Sequence, residues 1–329
     1  MEPYQELELR FGEWIGNPNT VTCSSGTAAL HLALEALQLP MHSCVMVPEF
    51  TMVACARAVT MAGLHPIFID CGDDLLLDTK VMQSKTVRHQ SAIMPVHIYG
   101  RQCNMKAIID HAKNNNLAVI EDMAEIHGVN PHPESDAACW SFYKNKIVHG
   151  EEGGMVAFKE AKHADKARQL RSLGFTQAHD FAHIPRGHNY RLANLLAEPI
   201  LTSLAKVDSN LEWRRCQSQD CDSQLPPEWK MPTRNVDWVY DLRIPNMRAE
   251  VQDKLVATLN DKGVAARHGF KPMSSQREYR NGSYRHLNAH RLSQEVVYLP
   301  MHEDSNFQDA ADSVNLLIET YHQLVGLPV

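Results

Sequence analysis

Between residues 20 and 160, short apolar runs alternate with longer stretches of helical periodicity, and this rhythm leaves few architectures open. The runs are VMVP (45–48), PIFID (66–70), SAIMPVH (91–97), LAVIED (117–122) and GMVAF (154–158), separated by segments such as TAALHLALEAL and MKAIIDHAKNNN. Strand, helix, strand in succession predicts an α/β domain with a mostly parallel sheet, because parallel neighbours must be joined by a crossover, usually a helix. No internal repeat or low-complexity segment interrupts the pattern, which sets aside solenoids and linkers.

Beyond Arg191 the pattern turns helical through LANLLAEPILTSLAKVDSNLEWRRC, and the Pro-rich QLPPEWKMPTRN then breaks it. The expected boundary lies near residue 210, giving a large domain over 1–210 and a smaller one over 211–329. The smaller domain should close on a C-terminal helix with Val314, Leu317, Ile318 and Tyr321 on one face. At 329 residues and 44% hydrophobic, the chain can bury one large core and a second, smaller one.

A formal charge of -7 without a like-charge block argues against nucleic acid or an anionic membrane as partner. The apolar runs are much shorter than the roughly 20 residues that span a bilayer, and no charged-then-apolar leader opens the chain. Cys23, Cys44, Cys55, Cys71, Cys103, Cys139, Cys216 and Cys221 form no CxxC pair or disulfide-like cadence. Reduced, mostly buried thiols in a cytoplasmic protein are expected.

Three segments carry chemistry. In Cys23-Ser24-Ser25-Gly26-Thr27-Ala28-Ala29-Leu30, small hydroxyl residues and a glycine precede a strong helix. Free N–H groups and the helix dipole there favour a phosphate, although Ser and Thr are also ordinary caps. The strand Leu117 to Asp122 ends in two carboxylates, at the strand end where open α/β sheets present ligand-binding groups; such a carboxylate, if buried, needs a cationic partner. In SFYKNKIVHGEEGG (141–154) a lysine beside glycines is a candidate Schiff-base nucleophile, and Lys144 and Lys146 compete for that role. Glu125 and His127 lie as close in sequence as metal ligands do, but such spacing is common by chance and no metal site is expected. His97 and Tyr99, at a strand end, are expected to pack and shape the loop.

Taken together, these segments resemble the DegT/DnrJ/EryC1/StrS family of sugar aminotransferases. Its SGTAAL, P-x-x-T, H-x-YG, EDxA-(Q/E)-x-HG and SFYxNK…GG patterns stand here as SSGTAAL, PEFTM, HIYG, EDMAEIHG and SFYKNKIVHGEEGG. GHNYRLANLLAE, RHGFKPMSSQREY and VVYLPMH are similar to later family segments, so the likeness spans residues 6 to 325. It implies a three-layer α/β/α fold of the type I pyridoxal-phosphate transferases with a smaller C-terminal α/β domain.

The resemblance also implies site roles. Lys146, not Lys144, takes the place of the lysine bound to the aldehyde of pyridoxal 5'-phosphate (PLP), with the aminated form PMP as its alternate. Asp122 takes the place of the carboxylate beneath the ring nitrogen. Gly26, Thr27, Ala28 and Ser141 take phosphate-binding positions, and Asn189 would reach the phosphate of a neighbouring subunit, so a homodimer with shared sites is implied. Met52 falls where relatives stack an aromatic ring, and Glu125 where many carry glutamine near the ring oxygen. A lysine rather than a histidine at 146 implies transamination, with glutamate as amino donor and a nucleotide-linked keto-sugar as acceptor. The TMVACARAV and FKPMSSQREY strings are most similar to those of perosamine-synthase members, which implies a 4-keto-6-deoxyhexose on GDP and a role in deoxyamino-sugar and polysaccharide biosynthesis. The stretch ahead of SGTAAL is shorter than in most relatives and there helps shape the entrance to the site. The alternative expectation is therefore a PLP-binding dimer of reduced turnover with a regulatory or scaffolding role.

Overall fold

The computed structural model describes residues 1–85, 87–176, 181–280, 287–301 and 310–326. Seven strands build the main sheet: β1 (Thr20–Cys23), β2 (Cys44–Pro48), β3 (His65–Ile69), β4 (Gln90–Ile93), β5 (Ala118–Asp122), β6 (Ala137–Ser141) and β7 (Gly154–Phe158). Their order is β1-β7-β6-β5-β4-β2-β3. The pairings from β6 to β3 are parallel, whereas β7 runs antiparallel to both β1 and β6. GMVAF thus departs from the parallel expectation, and the reason is local: the connection from Phe142 to Gly153 contains no crossover helix, so the chain turns back.

Helices α1 (Pro3–Ile15), α2 (Gly26–Ala36), α3 (Val53–Met61), α4 (Thr79–Ser84), α5 (Met105–Asn115) and α6 (Ala161–Arg171) cover this sheet as the outer layers of a three-layer α/β/α fold. α2, α3 and α6 pack together as α2 crosses β5, β6 and β7, and α5 lies against β4, β5 and α4. Ser25 caps α2 by accepting the Ala28 N–H at 3.1 Å, and the helix then buries nearly every residue from Ala28 to Ala36. α5 shows the half-buried pattern instead: Met105, Ile108, Ile109 and Ala112 face inward, and Asn116 ends it in the left-handed conformation.

Two further helices, α7 (Asn194–Leu204) and α8 (Val207–Gln224), lead to a three-stranded antiparallel sheet. Its strands are β8 (Val239–Arg243), β9 (Arg267–His268) and β10 (Val296–Pro300) in the order β8-β10-β9, packed with α9 (Ala249–Asp261), α10 (Leu287–Glu295) and α11 (Ala310–Val325). Val314 and Leu317 of α11 are fully buried beside Leu255, Leu259, Val297 and Leu299 in a second hydrophobic cluster. Residue 210 lies inside α8, whose Cys221 also belongs to that cluster. We propose that the smaller unit begins along this helix. The closing His302 of VVYLPMH lies outside the described residues.

The two units meet around one carboxylate. Asp241 of β8 is 1% exposed and accepts from Arg101 at 2.8 and 3.0 Å and from Arg234 at 2.7 Å. Burial alone would raise its pKa; Arg101 and Arg234 outweigh that and hold it below the ordinary aspartate value. The stabilisation is therefore complete above about pH 4 and is lost as pH falls through the depressed folded-state value. Asp241→Ala strands two buried guanidiniums, so stability is expected to drop by about 3–5 kcal/mol. A clear fall in the urea unfolding midpoint at pH 7 checks this, and an unchanged midpoint refutes it.

Candidate active site

The C-terminal ends of β5 and β6 are adjacent, with Asp122 paired in register with Cys139, so the carboxylate and the residues after Ser141 emerge together. The β1–α2 turn closes the same corner. A Cβ on Gly26 would lie 2.7 Å from Ser141 Cβ, and one on Gly154 would lie 2.3 Å from the Ser25 carbonyl oxygen. Only glycine permits this approach, which brings the start of α2 against the end of β6. The first-turn N–H groups of Gly26 and Thr27 have no intrahelical acceptor and, with the helix dipole, make an anion-binding corner.

The loop from Phe142 to Gly153 is held from several sides. Phe142 donates to the Gly153 carbonyl at 2.8 Å, Lys146 to that of Tyr143 at 2.8 Å, and Gly150 to that of Phe142 at 2.9 Å. His149 donates its N–H to Ser203 Oγ of α7, and Asn210 of α8 donates to the Ile147 carbonyl. The loop thereby turns Lys146 inward, 9% exposed, and leaves Lys144 exposed. The backbone of this loop thus separates the two candidate lysines, burying one and exposing the other. Lys146 Nζ lies 3.7 Å from the centroid of the Trp238 ring, a cation–π geometry. Burial lowers its pKa, against the pull of Glu125 and Asp122.

Both carboxylates are oriented by the fold. Asp122, 7% exposed, accepts the Ala124 N–H on Oδ1 at 3.0 Å and the Cys55 thiol on Oδ2 at 3.0 Å. Glu125 accepts the Tyr99 N–H at 2.8 Å, which Tyr99 can present because its backbone is left-handed, φ +50°. Burial pushes the Glu125 carboxyl up to about 7, with Lys146 opposing the rise.

One cavity of about 370 Å³ collects these groups. Gly26, Thr27, Met52, Asp122, Glu125, Ser141 and Lys146 all line it. Met52 is half exposed at its rim. Ala28 is absent from the lining, since its N–H is spent on the Ser25 cap. Asn189 lies elsewhere, in a second cavity beside Arg171 and Arg191. His127 is fixed by the fold: its Nδ1 accepts the Val148 N–H at 3.1 Å, and burial lowers its pKa to about 3. His97 is likewise engaged, to Glu121 at 3.0 Å and to the Cys103 N–H at 3.1 Å.

Sequence reasoning missed the far wall, made of Trp238, Phe270 and Tyr298, and the Cys55 thiol under Asp122. Trp238 carried a faint signal as an aromatic residue one position ahead of a strand. For Cys55 the sequence predicts only a reduced thiol, with nothing to link it to Asp122.

The sequence pattern of the DegT/DnrJ/EryC1/StrS aminotransferase family matches residues 2–317. The chain is 32% identical over 282 residues to the GDP-perosamine synthase of Caulobacter vibrioides, covering 82% of this chain and 76% of that one. It is 29% identical over 305 residues to the GDP-perosamine synthase of Escherichia coli O157:H7, covering 90% and 84%. Among solved structures, PseC of Helicobacter pylori, an aminotransferase of pseudoaminic acid biosynthesis, superposes with a TM-score of 0.90 at 18% identity over 98% of this chain and 92% of its own. The PMP form of the putative sugar aminotransferase Spr1654 of Streptococcus pneumoniae gives 0.90 at 19% identity, over 98% and 93%.

An ionised Glu125 favours the ammonium form of Lys146, so Glu125→Gln is expected to move the titration of that amine to lower pH. The pH midpoint of reductive methylation at Lys146, read by peptide mass spectrometry with exposed lysines as internal references, should fall. A midpoint that stays put would show that the two groups do not share charge.

Proposed function

The chain belongs to the DegT/DnrJ/EryC1/StrS aminotransferase family, and from that premise we propose that it delivers an amino group to a keto-sugar carried on a nucleotide, with Lys146 and Asp122 as its central residues. It is a sugar aminotransferase of the pyridoxal-phosphate-dependent class. The observation that carries the reading is a single cavity lined by a buried lysine, a buried aspartate and the N-terminal turn of a helix beside a serine. These groups fit PLP: an amine for its aldehyde, an anion for its ring nitrogen, and N–H and hydroxyl donors for its phosphate. The volume lies within the range of cofactor pockets.

When bound, the cofactor supplies an aldehyde that takes up an amino group and a ring that accepts electrons. Lys146 Nζ is the amine that would hold the aldehyde and, when free, would serve as the base that takes and returns a proton at the substrate carbon. Its depressed pKa favours the neutral amine that both roles need. Asp122 would keep a proton on the ring nitrogen, and the Ala124 N–H and Cys55 thiol aim its carboxylate. Gly26, Thr27 and Ser141 would hold the phosphate. Trp238, Phe270 and Tyr298 wall off water on the side of the smaller unit.

The finer reading takes glutamate as amino donor and a GDP-linked 4-keto-6-deoxyhexose as acceptor, supported by the two relatives named GDP-perosamine synthase. Asn189, set apart from its own chain's cavity, would serve the neighbouring subunit of a cytoplasmic homodimer. Adding glutamate to the PLP-loaded protein should replace the cofactor's yellow absorbance with that of PMP. Supplying the GDP-linked keto-sugar should then restore it, with an amino sugar detected by mass spectrometry. Unchanged absorbance with glutamate would favour a PLP-binding dimer without turnover.

Two variants test the roles. Lys146→Ala is expected to lose the borohydride-fixed cofactor adduct while Lys144→Ala keeps it, and retention in the first would refute the assignment. Asp122→Asn should fold normally and lower kcat by about 100-fold or more, the range for losing one preorganised electrostatic partner. Wild-type turnover in that variant would remove Asp122 from the mechanism.

A further inference from the structure

Helix α2 carries a second cluster of chemistry beyond its first turn. His31 and Glu35 stand four residues apart on one face and meet His188, which approaches from the segment after α6. His188 Nε2 lies 2.6 Å from one oxygen of Glu35, and His31 Nε2 lies 3.7 Å from the other. These ligand atoms of two imidazoles and one carboxylate lie within 4.8 Å of one another.

The hydrogen bonding of His31 is what points to a ligand. The residue is 3% exposed, and among the described residues its Nε2 has no partner within hydrogen-bonding distance. An unmet buried polar atom costs on the order of 1–3 kcal/mol. Its Nδ1 lies 3.1 Å from Tyr190 Oη, close enough to donate to the phenol oxygen. With the proton on Nδ1, Nε2 presents a lone pair on the side of Glu35, the form in which an imidazole ligates a metal. A second ring nitrogen anchored to an oxygen is also how metal-binding histidines are held. The Glu35–His188 contact satisfies Glu35 but leaves His31 Nε2 unmet.

We propose that His31, Glu35 and His188 bind a divalent transition-metal ion of the zinc class, with Tyr190 orienting His31. Two imidazole nitrogens and one carboxylate suit zinc, whereas magnesium and calcium prefer oxygen ligands throughout. His188 is partly exposed, which gives the ion a path in and leaves a position for water. The guanidinium of nearby Arg186 donates to the sulfur of Met41 at 2.8 Å, and burial together with this charge favours the neutral His31 that a metal needs.

The ion is structural. Tyr190 donates its N–H to the Arg171 carbonyl, and its own carbonyl accepts the Ser24 N–H at 2.8 Å, one residue before the cap of α2. Cross-linking His188 to α2 therefore braces the turn that forms the anion-binding corner, along with Asn189 between the two anchored residues. This cluster lies outside the cavity of the proposed reaction, and the site stands whether or not that reaction is correct.

Tag-free protein, stripped with chelator and dialysed against Zn2+ alone or Co2+ alone, should take up one equivalent per chain. The cobalt form should show the visible bands of a low-coordinate nitrogen and oxygen site, and zinc should raise the Tm. Tyr190→Phe, which keeps every ligand, is expected to weaken metal binding by about 10–100-fold. Glu35→Gln and His188→Gln should abolish the stoichiometric site while circular dichroism confirms the fold. Absence of stoichiometric uptake by the wild type, or equal affinity in all three variants, overturns the proposal. Metal content and cobalt spectra are independent of aminotransferase activity, so failure here is distinguishable from failure of the functional reading.

Discussion

The site depends on how one buried amine is held between two carboxyl groups. A charge in a low-dielectric cavity is costly unless paired, and Lys146 has two carboxylates near it, each tied to the fold by its own donors. With Glu125 raised toward neutrality and Lys146 lowered by burial, Asp122 is the carboxylate that a further cation can pair with. A ligand that brings a protonated ring nitrogen toward Asp122 supplies that cation, and one that also carries a phosphate places that anion at the positive end of α2 instead of beside the carboxylates. An uncharged molecule of the same size would pair neither with Asp122 nor with the free N–H groups at the start of α2. Glu125 sharpens the point, because a carboxyl poised near neutrality can hold or release a proton according to the state of Lys146.

Sheet topology explains why these groups meet. Strands β5 and β6 are parallel neighbours, so their ends deliver Asp122 and Ser141 side by side, and the antiparallel return of β7 replaces a crossover helix with the loop that bears Lys146. A crossover helix there would have carried the lysine across a face of the sheet. The antiparallel return of β7 is therefore the feature that places Lys146 in the cavity.

Much of this was legible in the strings themselves. Strand periodicity marked β2, β3, β4, β5 and β7, and the SSGTAAL, EDMAEIHG and SFYKNK segments marked three sides of the pocket, because each is local in sequence. The remainder was not local. Cys55 reaches Asp122 across 67 positions, and Trp238 reaches Asn145 across 93, so no window of sequence reports either contact. The boundary at residue 210 was drawn where composition changes, yet α8 continues through that point because its two halves pack against different clusters. Helical periodicity shows that a face is buried but not which core buries it.

The smaller unit therefore does more than cover the cavity. Trp238 immediately precedes β8, and its indole N–H donates to the Asn145 carbonyl at 2.8 Å, one residue before the lysine over which its ring lies. Three residues on, Asp241 of the same segment is clamped by Arg101, which follows the left-handed turn that aims the Tyr99 N–H at Glu125. Docking of β8 thus bears on both members of the Lys146–Glu125 pair, through the Asn145 carbonyl on one side and the 98–101 turn on the other. Loosening that junction would admit water to the amine and free Glu125 from its only backbone donor in the described structure. The electrostatics of the lysine therefore rest on a contact between the two units, and a change at Asp241 should be felt at Lys146 although the two side chains do not touch.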